Sequence, residues 1–326
     1  MRFNEFFPSK KEHLCAVMSA IHYFDIFKHP LKLEEIHNLV HNEVVTYAEL
    51  NATLTYLTEN KFLFEKDGYY LPHRSFVNIK RRTEGFELSQ KYWLKALKMS
   101  KLISKFPFIR CVMITGSLSK GFMDSNSDID YLIITKPGRL WIARTFLIVY
   151  KKIFLLNSHK FFCVNYFLDQ NHLVLHDRNL FTATELLFAK PTYNINLFER
   201  FLKVNQWTKS FYPLYEFSYS KNKDENCRPS ALKAIAEKIL TGKPGDFIDN
   251  CCMKLTTFFW SRKFKTMSRE QYLQDMRSAK GISKHHPNGF RNKIMSEHKQ
   301  RMHEFITGME DNSAIRKAIS LPVFNS

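Results

Sequence analysis

The sequence has no Cys-x-x-Cys pair; its six cysteines are Cys15, Cys111, Cys163, Cys227, Cys251 and Cys252. That spacing excludes a zinc ribbon or a redox dithiol. Cys111 and Cys163 fall inside apolar runs, where a free thiol serves as a small hydrophobe, so a disulfide framework is excluded as well. The sequence also lacks an apolar run long enough for a bilayer. The longest, Thr145 to Leu156, is interrupted by Lys151-Lys152, whereas a spanning helix needs about 20 apolar residues. No apolar leader follows Met1-Arg-Phe-Asn-Glu, and no repeat or low-complexity tract stands out. These absences predict a soluble, cytoplasmic protein without a membrane partner.

Acidic residues are scarce: 31 Asp and Glu against 49 Lys and Arg give a net charge of +18 over 326 residues. The imbalance is local. Residues 1–80 are net −1, residues 81–225 net +10 and residues 226–326 net +9. A basic surface of this kind suits a polyanionic ligand such as a nucleotide triphosphate or RNA. Aromatics make up 15% of the chain, 30 of them Phe, and this length supports two or three domains with filled cores.

Arg110 to Thr115 is mostly apolar and β-branched, which predicts a buried strand. Gly116-Ser117 follows at once, with Gly121 four residues beyond Ser117. Gly116 permits a tight turn and close approach of a ligand to the backbone. Ser117 can open a short helix whose unpaired N–H groups favour phosphate, and its hydroxyl adds a donor. Ser127-Asp128-Ile129-Asp130 then leads into a second strand, Ile129 to Thr135. Strand alternation puts Asp128 and Asp130 on one side, about 7 Å apart. Two carboxylates so close repel unless a cation lies between them. Mg²⁺, or Mn²⁺, suits such a pair, because it takes one or two carboxylates together with substrate phosphates.

Gly116, Ser117, Gly121, Ser127, Asp128 and Asp130 at this spacing resemble the DNA polymerase β-like nucleotidyltransferase superfamily, in particular its minimal members. The resemblance implies an α+β nucleotidyltransferase fold, a mixed sheet flanked by helices. It also implies transfer of a nucleoside monophosphate from an NTP to an acceptor hydroxyl, with release of pyrophosphate. Asp128 and Asp130 would be catalytic and hold the metal; Gly116 and Ser117 would hold the β- and γ-phosphates. Lys120 lies between cradle and acids as a nucleotide-binding candidate, with Arg139 and Arg144 as further cations.

The family supplies a third carboxylate from a later strand. Here that strand is Phe161 to Leu168, and its polar position is Asn165. Asp169 has the same parity but lies about 13 Å further along. Three alternatives stay open: Asp169 is recruited as a catalytic acid, Asn165 takes the acid's place beside the nucleotide, or the third acid is missing. The last points to a noncatalytic nucleotide- or RNA-binding module. Asp169-Gln-Asn also reads as a turn leading into a hairpin arm, His172 to Leu175. Thr182-Ala-Thr-Glu185 reads as a capping box, making Glu185 a structural residue.

Residues 1–78 show three helical segments: His13 to Phe27, one starting at Pro30-Leu31, and Tyr47 to Asn60. A hairpin turning at Asp67-Gly68 follows. This order resembles a winged-helix domain. The third helix carries Glu49 and Glu59 and no Lys or Arg before Lys61, so duplex DNA is not expected as a partner and a winged-helix transcription regulator is disfavoured. Residues 79–106 read as a connecting helix and 107–220 as the nucleotidyltransferase domain, with a helix from Thr182 to about Trp207. Residues 221–326 read as a basic helical region with a linker at Lys221 to Arg228 and a break at Gly242-Lys-Pro-Gly245. Within it Arg262, Lys263, Lys265 and Arg269 accompany Phe258, Phe259, Trp260 and Phe264. That grouping suits either RNA or inward packing of the aromatics, and packing is favoured. His285-His286 lacks a third ligand of metal spacing. The flanking domains exceed what a minimal enzyme needs, which favours a macromolecular acceptor, protein or RNA, over a small molecule.

Overall fold

The computed structural model describes residues 11–217, 230–285 and 289–311. They divide into two compact units: one of residues 11–84, 207–216 and 291–311, the other of residues 85–206, 217, 230–285 and 289–290. The linker expected at Lys221 to Arg228, and Cys227 and His286, lie outside the described residues.

In the first unit α1 (Lys11–Asp25) buries Val17, Ile21 and Phe24. The helix expected from Pro30 starts later. Leu31–Lys32 forms a strand, β1, opposite Tyr70 and Tyr69, and α2 spans Leu33–Leu39. The delay has a local cause: Lys32 is extended and its N–H donates to the Glu35 carboxylate at 2.9 Å, which fixes the helix start. A second capping box opens α3 (Tyr47–Glu59), where Glu49 N–H donates to Thr46 Oγ1 and Thr46 N–H donates to Glu49. Glu49 is therefore a helix-end residue as well as an acidic one. Strands β2 (Phe64–Lys66) and β3 (Tyr69–Leu71) meet at Asp67-Gly68, both with positive φ, 56° and 75°, as a two-residue hairpin requires. The sheet order is β1-β3-β2, all antiparallel. Helix α4 (Val77–Ser104) covers the stretch expected to be helical, its residues from Gly85 on belonging to the second unit.

The second unit is a mixed sheet flanked by helices. Strand β4 (Ile109–Thr115) ends in α5 (Gly116–Ser119), and β5 (Asp130–Thr135) returns antiparallel to β4. Helix α6 (Leu140–Phe154) crosses to β6 (Cys163–Asp169), which lies parallel to β5. Residues 172–175 form no strand, so the expected hairpin is absent. Leu175 N–H instead donates to Asn205 Oδ1, and Leu173 O accepts from Asn205 Nδ2.

The single helix expected from Thr182 to Trp207 is broken into α7 (Leu180–Leu187), β7 (Lys190–Tyr193), α8 (Ile195–Val204) and a 3-10 turn, Gln206–Ser210. Pro191 cannot continue a helix, and an edge strand tolerates its missing N–H; β7 sits at the sheet edge beside β4. The later segment is not wholly helical either. Between α9 (Ala231–Ile239), α10 (Gly242–Lys263), α11 (Arg269–Asp275) and α12 (Phe290–Asp311) runs a short hairpin, β8 (Ser278–Ala279) and β9 (Ile282–Lys284), and β9 extends the sheet along β6. The sheet order is β7-β4-β5-β6-β9-β8. Gly242-Lys-Pro-Gly245, expected as a break, is the first turn of α10, where proline is tolerated.

One core cluster joins Ala96 and Ile103 of α4, Leu140, Trp141 and Leu147 of α6, and the alternate strand residues Val112, Ile114, Tyr131 and Ile133. That period of two sends Asp130 to the face opposite Tyr131. Helix α10 is bound to α6 by polar contacts. Arg139 pairs with Asp246 at 2.6 Å and donates to the carbonyls of Leu240 and Gly242, while Asp249 accepts from Ile142 N–H in the first turn of α6. Among the described residues, no helix is long and apolar enough to cross a membrane.

Candidate active site

Thr115 and Asp130 are direct partners across the antiparallel β4–β5 pair, so the Gly-Ser turn and the second aspartate meet at one end of the sheet. Gly116 has φ +70° and faces Asp130: a Cβ built there would overlap Oδ2 of Asp130 and lie 3.3 Å from its Cγ. Both the conformation and the space demand glycine. After the four residues of α5 the chain turns back through Lys120 N–H to Ser117 O (3.1 Å) and Phe122 N–H to Ser117 O (3.1 Å), leaving Ser117 exposed. Ser127 shapes the next loop, donating its hydroxyl to Asp124 at 2.7 Å. Asp128, half-buried, ends that loop two residues before Asp130, the first residue of β5.

The Asp130 carboxyl is pushed up to about 6, first by burial and then by the neighbouring charges of Glu185 and Asp128; a hydrogen bond with Cys163 and the charge of Lys120 oppose the rise. Asn165 Nδ2 donates to Asp130 Oδ1 at 3.2 Å. Asn165 reaches this position at a bulge: β5–β6 pairing passes from Tyr131–Val164 to Leu132–Tyr166, which leaves Asn165 between registers. The Cys163 thiol, 3.5 Å from the Asn165 amide, is pushed up by burial and by the Asp130 charge.

Asp169 is not brought to this site. It pairs with Thr135, at the other end of β5 from Asp130, about 17 Å away along the strand. Its buried carboxylate accepts from Asn171 N–H (2.9 Å), Gly138 N–H (3.3 Å) and His172 Nδ1 (2.6 Å), closing the turn after β6. The catalytic expectation for Asp169 is therefore corrected to a structural one. Glu185 moves the opposite way. The cap of α7 is Asn179, whose side chain accepts from Thr182 N–H at 2.9 Å, so Thr182-x-x-Glu185 is not a capping box. Instead Glu185, in the second turn of α7, accepts from Lys120 Nζ at 2.7 Å and from Gly116 N–H at 3.3 Å. The sequence carried no signal for this, because Lys120 and Glu185 are 65 residues apart and only the fold joins them.

Asp130 and Glu185 thus both meet the Gly116 turn, with Lys120 on Glu185 and Asn165 on Asp130, and Asp128 is near enough for its charge to act on Asp130. Among the described residues no group of three or more His, Cys, Asp and Glu side chains is placed to hold a metal ion. A carboxylate pair two residues apart, with Asp128 adding to the raised proton affinity of Asp130, is a donor set suited to a hard divalent cation whose remaining ligands are water or phosphate. Arg139, considered for the triphosphate, is engaged with α10. His285 packs on Trp260 with ring centroids 4.8 Å apart.

Comparison with protein-family models, with curated proteins and with solved structures gave no match in any of the three.

Proposed function

We propose that the chain is a nucleotidyltransferase that moves a nucleoside monophosphate from an NTP to an acceptor hydroxyl. The observation that carries this reading is the meeting of the Gly116 turn with Asp130 on adjacent strands, so close that only glycine fits. Asp128 and Asp130 would hold Mg²⁺ or Mn²⁺, which when bound polarises the α-phosphate and stabilises the leaving pyrophosphate. Gly116 N–H, Ser117 and Lys120 bind the β- and γ-phosphates. Glu185 now occupies two of those donors, and an arriving phosphate would take them over. The acceptor oxygen forms a bond to the α-phosphorus as the bond from phosphorus to the β-bridging oxygen breaks. Pyrophosphate departs with that electron pair, and Glu185, freed from the cradle, accepts the hydroxyl proton. Asn165 orients Asp130 by its amide donor.

A second reading is a noncatalytic nucleotide- or RNA-binding module. What favours it is Asn165 itself, an amide beside Asp130 where the family resemblance expects an acid. Within the first unit, α1, β1, α2, α3, β2 and β3 follow one another in an order that supports a winged-helix reading. Its α3 carries no Lys or Arg, so we assign it to contact with protein or with the acceptor rather than duplex DNA.

Pyrophosphate release from each of the four NTPs, with Mg²⁺ or Mn²⁺ and cell extract as the acceptor source, tests the proposal. Release by the wild type but not by Asp128→Asn or Asp130→Asn is expected. Metal-dependent NTP binding with no release would establish the second reading, and equal release by the variants would remove the aspartates from the mechanism.

A further inference from the structure

Helix α10 carries two apolar faces. One packs inward: Cys252 and Met253 lie against the core cluster, and Trp260 meets Trp141 and stacks under the Arg144 guanidinium at 4.7 Å. The other face points to solvent. Phe247, Ile248, Leu255, Phe258 and Phe259 are between 37% and 70% exposed. With the exposed Cys251 they recur every three or four residues, so they form one stripe about 18 Å long. The aromatics of the basic cluster therefore divide: Trp260 is buried as expected, whereas Phe258 and Phe259 face outward. Singly exposed apolar residues are ordinary, but a contiguous stripe marks an interaction site.

The charges that border the stripe are all positive. On the helical wheel the exposed Lys243 and Lys254 lie along one edge and the exposed Lys263 along the other. Arg262 stands over the Phe258 ring at 4.4 Å. The two acids of α10 are both taken up by the start of α6: Asp246 pairs with Arg139, and the buried Asp249 accepts from Ile142 N–H. No Asp or Glu follows between Asn250 and Arg269. A second copy of the chain would set these cations against themselves across a two-fold interface, so the occupant is apolar and anionic. Single-stranded RNA would use the cations and the phenylalanines but give Ile248 and Leu255 nothing to bind. Phe and Leu flanked by lysines, whose stems lie along apolar surface while the ammonium reaches outward, suit a helix lying in the headgroup layer of an anionic bilayer. The lack of a spanning run, which predicts no membrane partner, excludes a helix through the bilayer and not one that lies on it.

We infer that the outward face of α10 docks on a membrane surface rich in anionic phospholipid, with its apolar stripe at the headgroup–acyl boundary and its lysines and Arg262 at the lipid phosphates. The docking brings the unit that holds the candidate site to the membrane, and it is independent of the nucleotidyltransferase reading.

Co-sedimentation of the full-length protein with vesicles tests this, using phosphatidylcholine alone and an equal mixture of phosphatidylcholine and phosphatidylserine. The wild type should bind the mixed vesicles, prefer them to the uncharged ones, and bind them less as salt rises. Phe258→Ser/Phe259→Ser should lower partition onto the mixed vesicles by roughly tenfold or more. Lys254→Gln should lower it roughly fivefold, the effect of one cation at an anionic surface, and Lys254→Arg should retain it. These side chains are exposed, so every variant should melt like the wild type and loss of binding is not loss of fold. No vesicle binding by the wild type overturns the inference. So does binding unchanged in Phe258→Ser/Phe259→Ser, which would leave only adsorption of basic charge. A single-stranded oligoribonucleotide bound by the wild type and lost in the same variants, without vesicle binding, assigns the face to RNA. A dimer in sedimentation that the same variants dissolve, again without vesicle binding, assigns it to a second copy. Both outcomes overturn the lipid docking.

Discussion

Replacing Asp130 with Asn should make the metal-free protein more stable while removing its response to Mg²⁺. Asp130 binds its proton more tightly folded, at about 6, than its ordinary value of 3.8. The folded state therefore loses stability as pH rises through that interval, and above it the ionised carboxylate costs about 3 kcal/mol. An asparagine amide there carries no charge, and its carbonyl oxygen can still accept from Asn165. At pH 8 the variant should exceed the wild type by up to about 3 kcal/mol, and at pH 5, where the folded wild type is mostly protonated, by about half as much. Urea denaturation at the two pH values reads the difference directly. Mg²⁺ at about ten times its Kd should then raise the wild type by about 1.4 kcal/mol and leave the variant unchanged. A variant less stable than the wild type at pH 8, or an advantage that does not shrink at pH 5, would refute the account of Asp130 as a charge held ready for a cation.

Other perturbations separate the roles of neighbouring residues. Gly116→Ala combines a left-handed φ with overlap on Asp130 and should cost about 1–3 kcal/mol in thermal unfolding as well as NTP binding; wild-type behaviour would show that the turn relaxes freely. Asp169→Ala should lose about 1–3 kcal/mol by leaving buried N–H donors unpaired yet keep Mg²⁺-dependent NTP binding, and loss of that binding would return Asp169 to the site. Glu185→Gln should abolish turnover more than it weakens NTP binding, read from kcat against KM; an unchanged kcat would leave Glu185 as a mere partner of Lys120. Glu237 accepts from Arg110 and Phe108 N–H and is held below its ordinary range despite burial. Its contribution is present above the unfolded pKa and is lost as pH falls through the lowered folded one, so Glu237→Gln should destabilise at pH 7 and do so progressively less as the pH is lowered in the same denaturation assay.

How much could be read in advance depended on how local each signal was. The Asp67-Gly68 hairpin, α3, β4, β5 and α6 were legible because periodicity and turn chemistry act over neighbouring residues. Where elements end was harder. Leu31–Lys32 became a strand because Tyr69 and Tyr70, far along the chain, offered it a partner. Pro191 ended a helix by becoming part of an edge strand against β4. Strand β9 is too short to declare itself and exists because β6 offered it an edge.

At the site the division follows the same line. The sequence by itself determined the Gly-Ser turn, the Asp-x-Asp spacing and the strands that carry them, since a single β-turn-β stretch places all of these. Tertiary structure alone decided that Glu185 joins Lys120 and Gly116, that Asp169 closes a distant turn, that Asn165 meets Asp130 through a bulge, and that Arg144 and Lys151 are buried. Each of these depends on how helices dock on the sheet, and docking is decided by the summed burial of side chains far apart in the chain, which no local pattern records.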